Sequence, residues 1–140
     1  MTAVLVDSNV LLDVMTEDEH WLLWSAEALE HAADRYRLVI NPIIYAEVSV
    51  RYSRIEDLEA ALPKTIFDRE AIPYEAAFLA GKSFAAYRQR GGEKRLPLPD
   101  FFIGAHAAVA GYRLMTRDAA RYRTYFPKLS LIAPEQPLRS

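Results

Sequence analysis

The stretch Val4-Leu5-Val6-Asp7-Ser8-Asn9-Val10-Leu11-Leu12-Asp13 constrains the fold most. Val4 to Val6 are bulky and apolar and predict a short buried strand. Ser8 and Asn9 are helix N-cap types, and Val10, Leu11 and Val14 open a helical period. A strand that turns directly into a helix begins a βα unit, and repeated βα units build a parallel sheet. Asp7 then stands at the carboxyl end of the first strand, the edge where open α/β sheets bind ligands. Taken alone, Asp7 reads equally well as a helix cap or an Asx-turn residue. Its meaning depends on whether later carboxylates return to the same edge.

The alternation continues along the chain. Trp21 to Ala33 reads as an amphipathic helix, with Leu22, Ala26, Leu29 and Ala33 on its apolar stripe. Leu38-Val39-Ile40 is a second short strand; Asn41-Pro42 ends it and opens a helix to Tyr52. Ile55 to Leu62 is a further helix, ended by Pro63, whereas Lys64 to Ile72 gives no clear signal. Tyr74 to Arg90 is a long helix stopped by Gly91-Gly92, and a Pro-containing basic loop follows from Glu93 to Pro99. Phe101 to Ala110 is apolar on every face and predicts a buried central helix, with Gly111 at its end. Tyr112 to Thr116 returns as a strand, Ala119 to Tyr125 as a short helix and Leu129 to Ile132 as a last strand. At 140 residues this predicts a single domain, 1–140, with its core at 4–132 and a tail at 133–140. The expected class is α/β: three layers, α/β/α, around a mainly parallel central sheet.

Composition removes several chemistries. With no cysteine, disulfides, thiolate metal sites and cysteine nucleophiles are excluded. No apolar run approaches the ~20 residues of a membrane helix, and no signal peptide is visible. The expected location is the cytoplasm. A net charge of -2 does not announce a nucleic-acid binder, but the charges are unevenly placed. Met1 to Asp34 carries eight acids (Asp7, Asp13, Glu17, Asp18, Glu19, Glu27, Glu30, Asp34) and no Lys or Arg. Lys82 to Arg95 and Arg113 to Lys128 are basic. Solvated helix faces explain either patch alone; together they suit an acidic centre with a basic approach.

Four acids have a reason to converge on this architecture: Asp7, Glu47, Asp100 and Asp118. Asp118 repeats the logic of Asp7, a carboxylate directly after a short strand and before a helix. If the two strands are parallel neighbours, both acids share one sheet edge. Glu47 sits beside the apolar Ile43, Ile44 and Val50, where a carboxylate is costly unless paired or bound to a cation. An ion pair with Arg51 competes with that reading. Asp100 precedes the buried helix, where a cap and the helix dipole both favour it. Close carboxylates cannot all stay ionised at neutral pH without cations. Oxygen-only ligands suit Mg²⁺ or Mn²⁺, and such a site activates water for attack on a phosphodiester. Asn9 and Thr116 are placed to orient ligands or water, or simply to cap turns. His106, inside the buried helix, reads as a hydrogen-bonded core residue.

Here the sequence resembles a known family. Val6-Asp7-Ser8-Asn9-Val10-Leu11-Leu12-Asp13 resembles the first motif of PIN-domain nucleases, and Tyr45-Ala46-Glu47-Val48 their second. Leu98-Pro99-Asp100-Phe101-Phe102-Ile103-Gly104-Ala105-His106-Ala107 resembles the third, and Leu114-Met115-Thr116-Arg117-Asp118 the fourth. The order, spacing and length are similar to those of small VapC-type toxins of prokaryotic toxin–antitoxin pairs. The resemblance implies a Mg²⁺- or Mn²⁺-dependent endoribonuclease in which Asp7, Glu47, Asp100 and Asp118 bind metal. It also implies a homodimer and an antitoxin that blocks the site. One departure stands out: where many members carry a further acid three residues after the Asp118 position, this chain has Arg121. Lys94, Arg95, Arg117 and Arg121 are the candidates for steering an RNA backbone.

Two other classes are weighed. An aspartyl-nucleophile phosphatase also starts with an Asp after its first strand, but it needs a second acid where Asn9 stands. A non-catalytic RNA-binding module would keep the fold without the chemistry, and the presence of all four acids argues against it.

Overall fold

Strands that are short and apolar on both faces require a sheet covered by helices on either side. The computed structural model of the protein describes residues 2–91 and 98–135. Its strands are β1 (Ala3–Val6), β2 (Arg37–Ile40), β3 (Phe67–Arg69), β4 (Arg113–Met115) and β5 (Leu131–Ile132). They form one sheet in the order β3-β2-β1-β4-β5, every pairing parallel. The helices are α1 (Ser8–Met15), α2 (Leu22–Ala33), α3 (Pro42–Ser49), α4 (Ile55–Ala61), α5 (Tyr74–Gln89), α6 (Leu98–Ala110) and α7 (Ala120–Arg123). The fold is a three-layer α/β/α sandwich. All four residues of the central β1 are buried, which explains why its sequence does not alternate.

The chain winds from β1 outward through β2 to β3, then crosses to the other side of β1 to lay down β4 and β5. The strand order therefore reverses between β1 and β4, and a crevice opens beyond their carboxyl ends. The register pairs Val6 with Met115, Leu5 with Val39 and Ile40 with Arg69. One residue further, Asp7 is level with Asn41 on one side and Thr116 on the other. The Asp7 N–H donates to the Met115 carbonyl at 2.9 Å, which continues the ladder to that edge.

Helix α6 is the buried helix that the sequence predicts: Phe101, Ile103, Gly104, Ala105, His106 and Ala107 are all buried. It packs against α5, where Phe101 meets Phe84 and Tyr87 edge-on or tilted. Gly104 lets α6 approach closely: a Cβ there would stand 2.5 Å from the Phe126 ring and 3.1 Å from Tyr122. Gly111, at φ +73°, ends α6 in a Schellman turn, with the Tyr112 N–H on the Ala107 carbonyl at 2.9 Å.

Several expectations shift. β3 lies inside the stretch without signal, because only Phe67 of its three residues is buried. The buried face of α2 centres on Ser25 and Ala32, while Ala33 is exposed. The hydroxyl of Ser25 explains this, since it donates to buried Asp13 at 2.7 Å. Helix α6 starts at Leu98, so Leu98 and Pro99, expected in the basic loop, form its first turn and Asp100 lies inside that turn. The rest of that loop, with Lys94 and Arg95, lies outside the described residues.

Candidate active site

Asp7 is the N-cap of α1, where its Oδ1 accepts the Ser8 N–H at 2.8 Å. Ser8 and Asn9, the caps expected from residue type, serve elsewhere. Asp7 Oδ2 accepts from the Thr116 hydroxyl and the Tyr122 hydroxyl, each at 2.9 Å, and from Asn9 Nδ2 at 3.5 Å. The carboxylate is only 4 % exposed. Burial pushes its pKa up, and the three donors Tyr122, Thr116 and Ser8 pull against that. Capping and site geometry are thus two uses of one side chain.

Glu47 projects from α3 toward the same place. Among the described residues no ion pair joins it to Arg51; instead its Oε1 accepts the Ser8 hydroxyl at 2.9 Å. Burial raises its pKa, and the charge of Asp7 raises it further. Asp100, on the first turn of α6, is 6 % exposed. Burial pushes its carboxyl up to about 6; Arg121 opposes this, while Asp7 and Glu47 add to it. These three acids therefore feel one another's charge. Asp118 follows β4 and joins them through Arg121. That guanidinium spans the two, Nη1 on Asp100 Oδ2 at 3.1 Å and Nε on Asp118 Oδ2 at 2.6 Å.

The polar support is dense. The Thr116 hydroxyl donates to Asp7 and accepts from Asn9 Nδ2 at 3.2 Å and from the Asp118 N–H at 3.1 Å. Asn9 Oδ1 accepts the Arg117 N–H at 3.3 Å. Asn9 and Thr116 thus lock the β1 and β4 turns together, which also caps those turns. Arg117 points away from the acids: its Nε donates to buried Asp13 at 2.9 Å and its guanidinium lies 5.6 Å from the Trp21 ring centre. Two contributors lie outside the expected set, Ser8 on Glu47 and Tyr122 on Asp7. A phenol in an otherwise apolar position four residues after Asp118 was the available sign of Tyr122.

His106 is a buried hydrogen-bonded residue. Asn41 Oδ1 accepts the Ile44 N–H, so its Nδ2 faces His106 Nδ1 at 3.0 Å and that nitrogen accepts. The neutral ring then carries its proton on Nε2, 3.8 Å from Glu70 Oε1. Burial lowers its pKa, with Glu70 opposing.

The chain belongs to the PIN domain family, whose sequence model matches residues 4–127. Among solved structures it is similar to VapBC2 from Rickettsia felis bound to a promoter DNA fragment, at TM-score 0.72 and 18% identity over 94% of this chain and 98% of that one. It is similar to VapBC-1 from nontypeable Haemophilus influenzae, at TM-score 0.72 and 16% identity over 94% and 98%. It is also similar to a toxin–antitoxin complex from Klebsiella pneumoniae, at TM-score 0.65 and 23% identity over 95% and 98%. At these identities the likeness is one of fold. A comparison with curated proteins returns no match.

As a donor set, the four acids fit a hard divalent cation. They offer oxygen only; burial raises the Asp100 and Glu47 carboxyls, and the charges of neighbouring acids add to it, a cost that a cation relieves. Among the described residues, no three acidic or imidazole groups are gathered closely enough to hold an ion as they stand. Arg121 bridges Asp100 and Asp118.

Proposed function

We propose that this PIN-domain protein is a Mg²⁺- or Mn²⁺-dependent endoribonuclease, the toxin of a type II toxin–antitoxin pair, acting in the cytoplasm. The observation that carries the reading is the connected set of acids at the switch point of the sheet: Ser8 hydrogen-bonds both Asp7 and Glu47, Tyr122 hydrogen-bonds Asp7, and the adjoining Arg121 spans Asp100 and Asp118. When bound, the cation supplies an acidified water and charge stabilisation for phosphodiester hydrolysis. Asp7, Glu47 and Asp100 would hold it, with Asp118 as the fourth acid of the set. Thr116, Tyr122 and Asn9 fix Asp7 Oδ2, which leaves Oδ1 with a single backbone donor. Ser8 orients Glu47 in the same way.

Arg121 is the described basic residue beside the acids, whereas Arg117 is committed to Asp13. Lys94 and Arg95, just before α6 in sequence, are further candidates for the RNA backbone. An antitoxin belongs to the same reading, supported by the toxin–antitoxin complex named for the Klebsiella structure; a second copy of the chain belongs to it through the family resemblance alone. Exposed Tyr74 and Phe78, one turn apart on α5, are apolar surface for such partners.

The test is incubation of a mixed cellular RNA pool with the purified protein, with Mg²⁺ or Mn²⁺ and with EDTA. Discrete fragments that vanish in EDTA are expected. RNA binding without cleavage under either metal would overturn the reading in favour of a binding module. Turnover of small phosphomonoesters with RNA left intact would favour a phosphatase.

A further inference from the structure

We propose that Arg121 is a tethered counter-cation, holding the acidic centre together in the metal-free protein and giving way to the divalent ion when it binds. The inference rests on the metal-site reading above and adds a residue that controls loading. Its guanidinium contacts carboxylates from two elements, Asp100 on α6 and Asp118 after β4. Arg121 thus bridges two of the four acids, and its neighbour Tyr122 holds a third, Asp7; an ion would otherwise fill that bridging role.

The geometry also allows release. The Arg121 side chain is 45 % exposed, so it can turn into water without unpacking the core. Its neighbour Tyr122 is buried and hydrogen-bonded to Asp7, so the backbone beneath Arg121 stays fixed while the side chain swings. Half-exposed ion pairs are individually weak. A divalent ion that meets several carboxylates at once carries twice the charge to the same place, and this decides the exchange in its favour. The released guanidinium remains tethered at the site, where a phosphate is its natural partner.

The experiment is Mn²⁺ titration calorimetry on the metal-stripped full-length protein, its Arg121→Gln and Arg121→Lys variants and an Asp100→Asn control. Thermal melting with and without Mn²⁺ accompanies it. Arg121→Gln should bind Mn²⁺ about tenfold more tightly and melt lower without metal. Its rise in melting temperature on adding Mn²⁺ should exceed that of the parent, a comparison that holds even if the metal-free variant is only partly folded. Arg121→Lys, which keeps the charge, should stay within about threefold of the parent. Parent-like affinity in Arg121→Gln, or equal tightening in Arg121→Lys, would overturn the inference while leaving the metal site standing. Absence of Mn²⁺ binding in parent and variants alike would overturn both.

Discussion

Asp100 is buried between two other acids and one arginine, and its charge sets how the metal-free protein responds to pH. Its folded-state pKa of about 6 lies above the ordinary 3.8. Between those values the folded state binds more proton than the unfolded one, so stability falls as pH rises. Asp7 and Glu47 are raised as well and act in the same direction, while Arg121 opposes all three. Asp18 and Glu59 are lowered, by the Trp21 and His20 N–H groups and by Arg69 respectively, so their contribution is lost on acidification instead. Burial lowers the His106 pKa, so its contribution runs the other way over the same window. The Asp100→Asn variant isolates Asp100: relative to it, the metal-free parent should lose urea-midpoint stability from about pH 4.5 to pH 7, and the variant should be the more stable at pH 7 by on the order of 1–2 kcal/mol. A parent-minus-variant difference that stays flat or rises with pH would contradict this. At the same scale, Tyr122→Phe removes one donor from Asp7 Oδ2. It should cost about 1–2 kcal/mol in chemical denaturation and weaken Mn²⁺ binding, because Asp7 becomes easier to protonate. Asp7, Asp100 and Asp118 were legible because each stands at a strand end or helix start, and Glu47, inside α3, because its neighbours Ile43, Ile44 and Val50 are apolar. The hydroxyls that orient them were not, since Tyr122 reaches Asp7 across 115 positions and Ser8 reaches Glu47 across 39.

Among the elements, α6 does most to place the site. Its first turn carries Asp100 and its middle packs against Tyr122 and Phe126 through Gly104. Gly104→Ala should therefore act on both stability and activity. Phe126 must move, at about 1–3 kcal/mol, and the displacement of Tyr122 should loosen its bond to Asp7. Thermal melting and RNA cleavage measured side by side check this, and a parent-like melting temperature would show that the two rings can give without cost. Helix α6 was legible because the ten residues from Phe101 to Ala110 show no polar face; those up to Ala107 lie in or against the core, while Ala108 to Ala110 are exposed. Edge strand β3 was not, because Phe-Asp-Arg has too little apolar content to mark a strand. Its pairing with β2 and an ion pair from Arg37 to Asp68 at 2.7 Å hold it in place, and neither leaves a local pattern.

For the whole molecule, the uneven charge along the chain acquires a spatial meaning. The acidic amino-terminal stretch and the basic carboxyl-terminal one meet where Arg117 pairs with Asp13, while Arg121 of the basic stretch bridges Asp118 and Asp100. Five parallel strands and the strand order β3-β2-β1-β4-β5 deliver Asp7 and Asp118 to adjacent strand ends, with α3 and α6 bringing Glu47 and Asp100 across. The alternation of short strands and helices was enough to anticipate that layout, but the sheet order comes from long-range pairing that no local stretch encodes. The most direct measurement is metal-dependent cleavage of an RNA pool by the parent, Asp7→Asn and Asp100→Asn, each first shown to be folded. The account predicts that the parent cuts with Mg²⁺ or Mn²⁺ and that both variants, though folded, do not. Undiminished metal-dependent cleavage by either folded variant would contradict it.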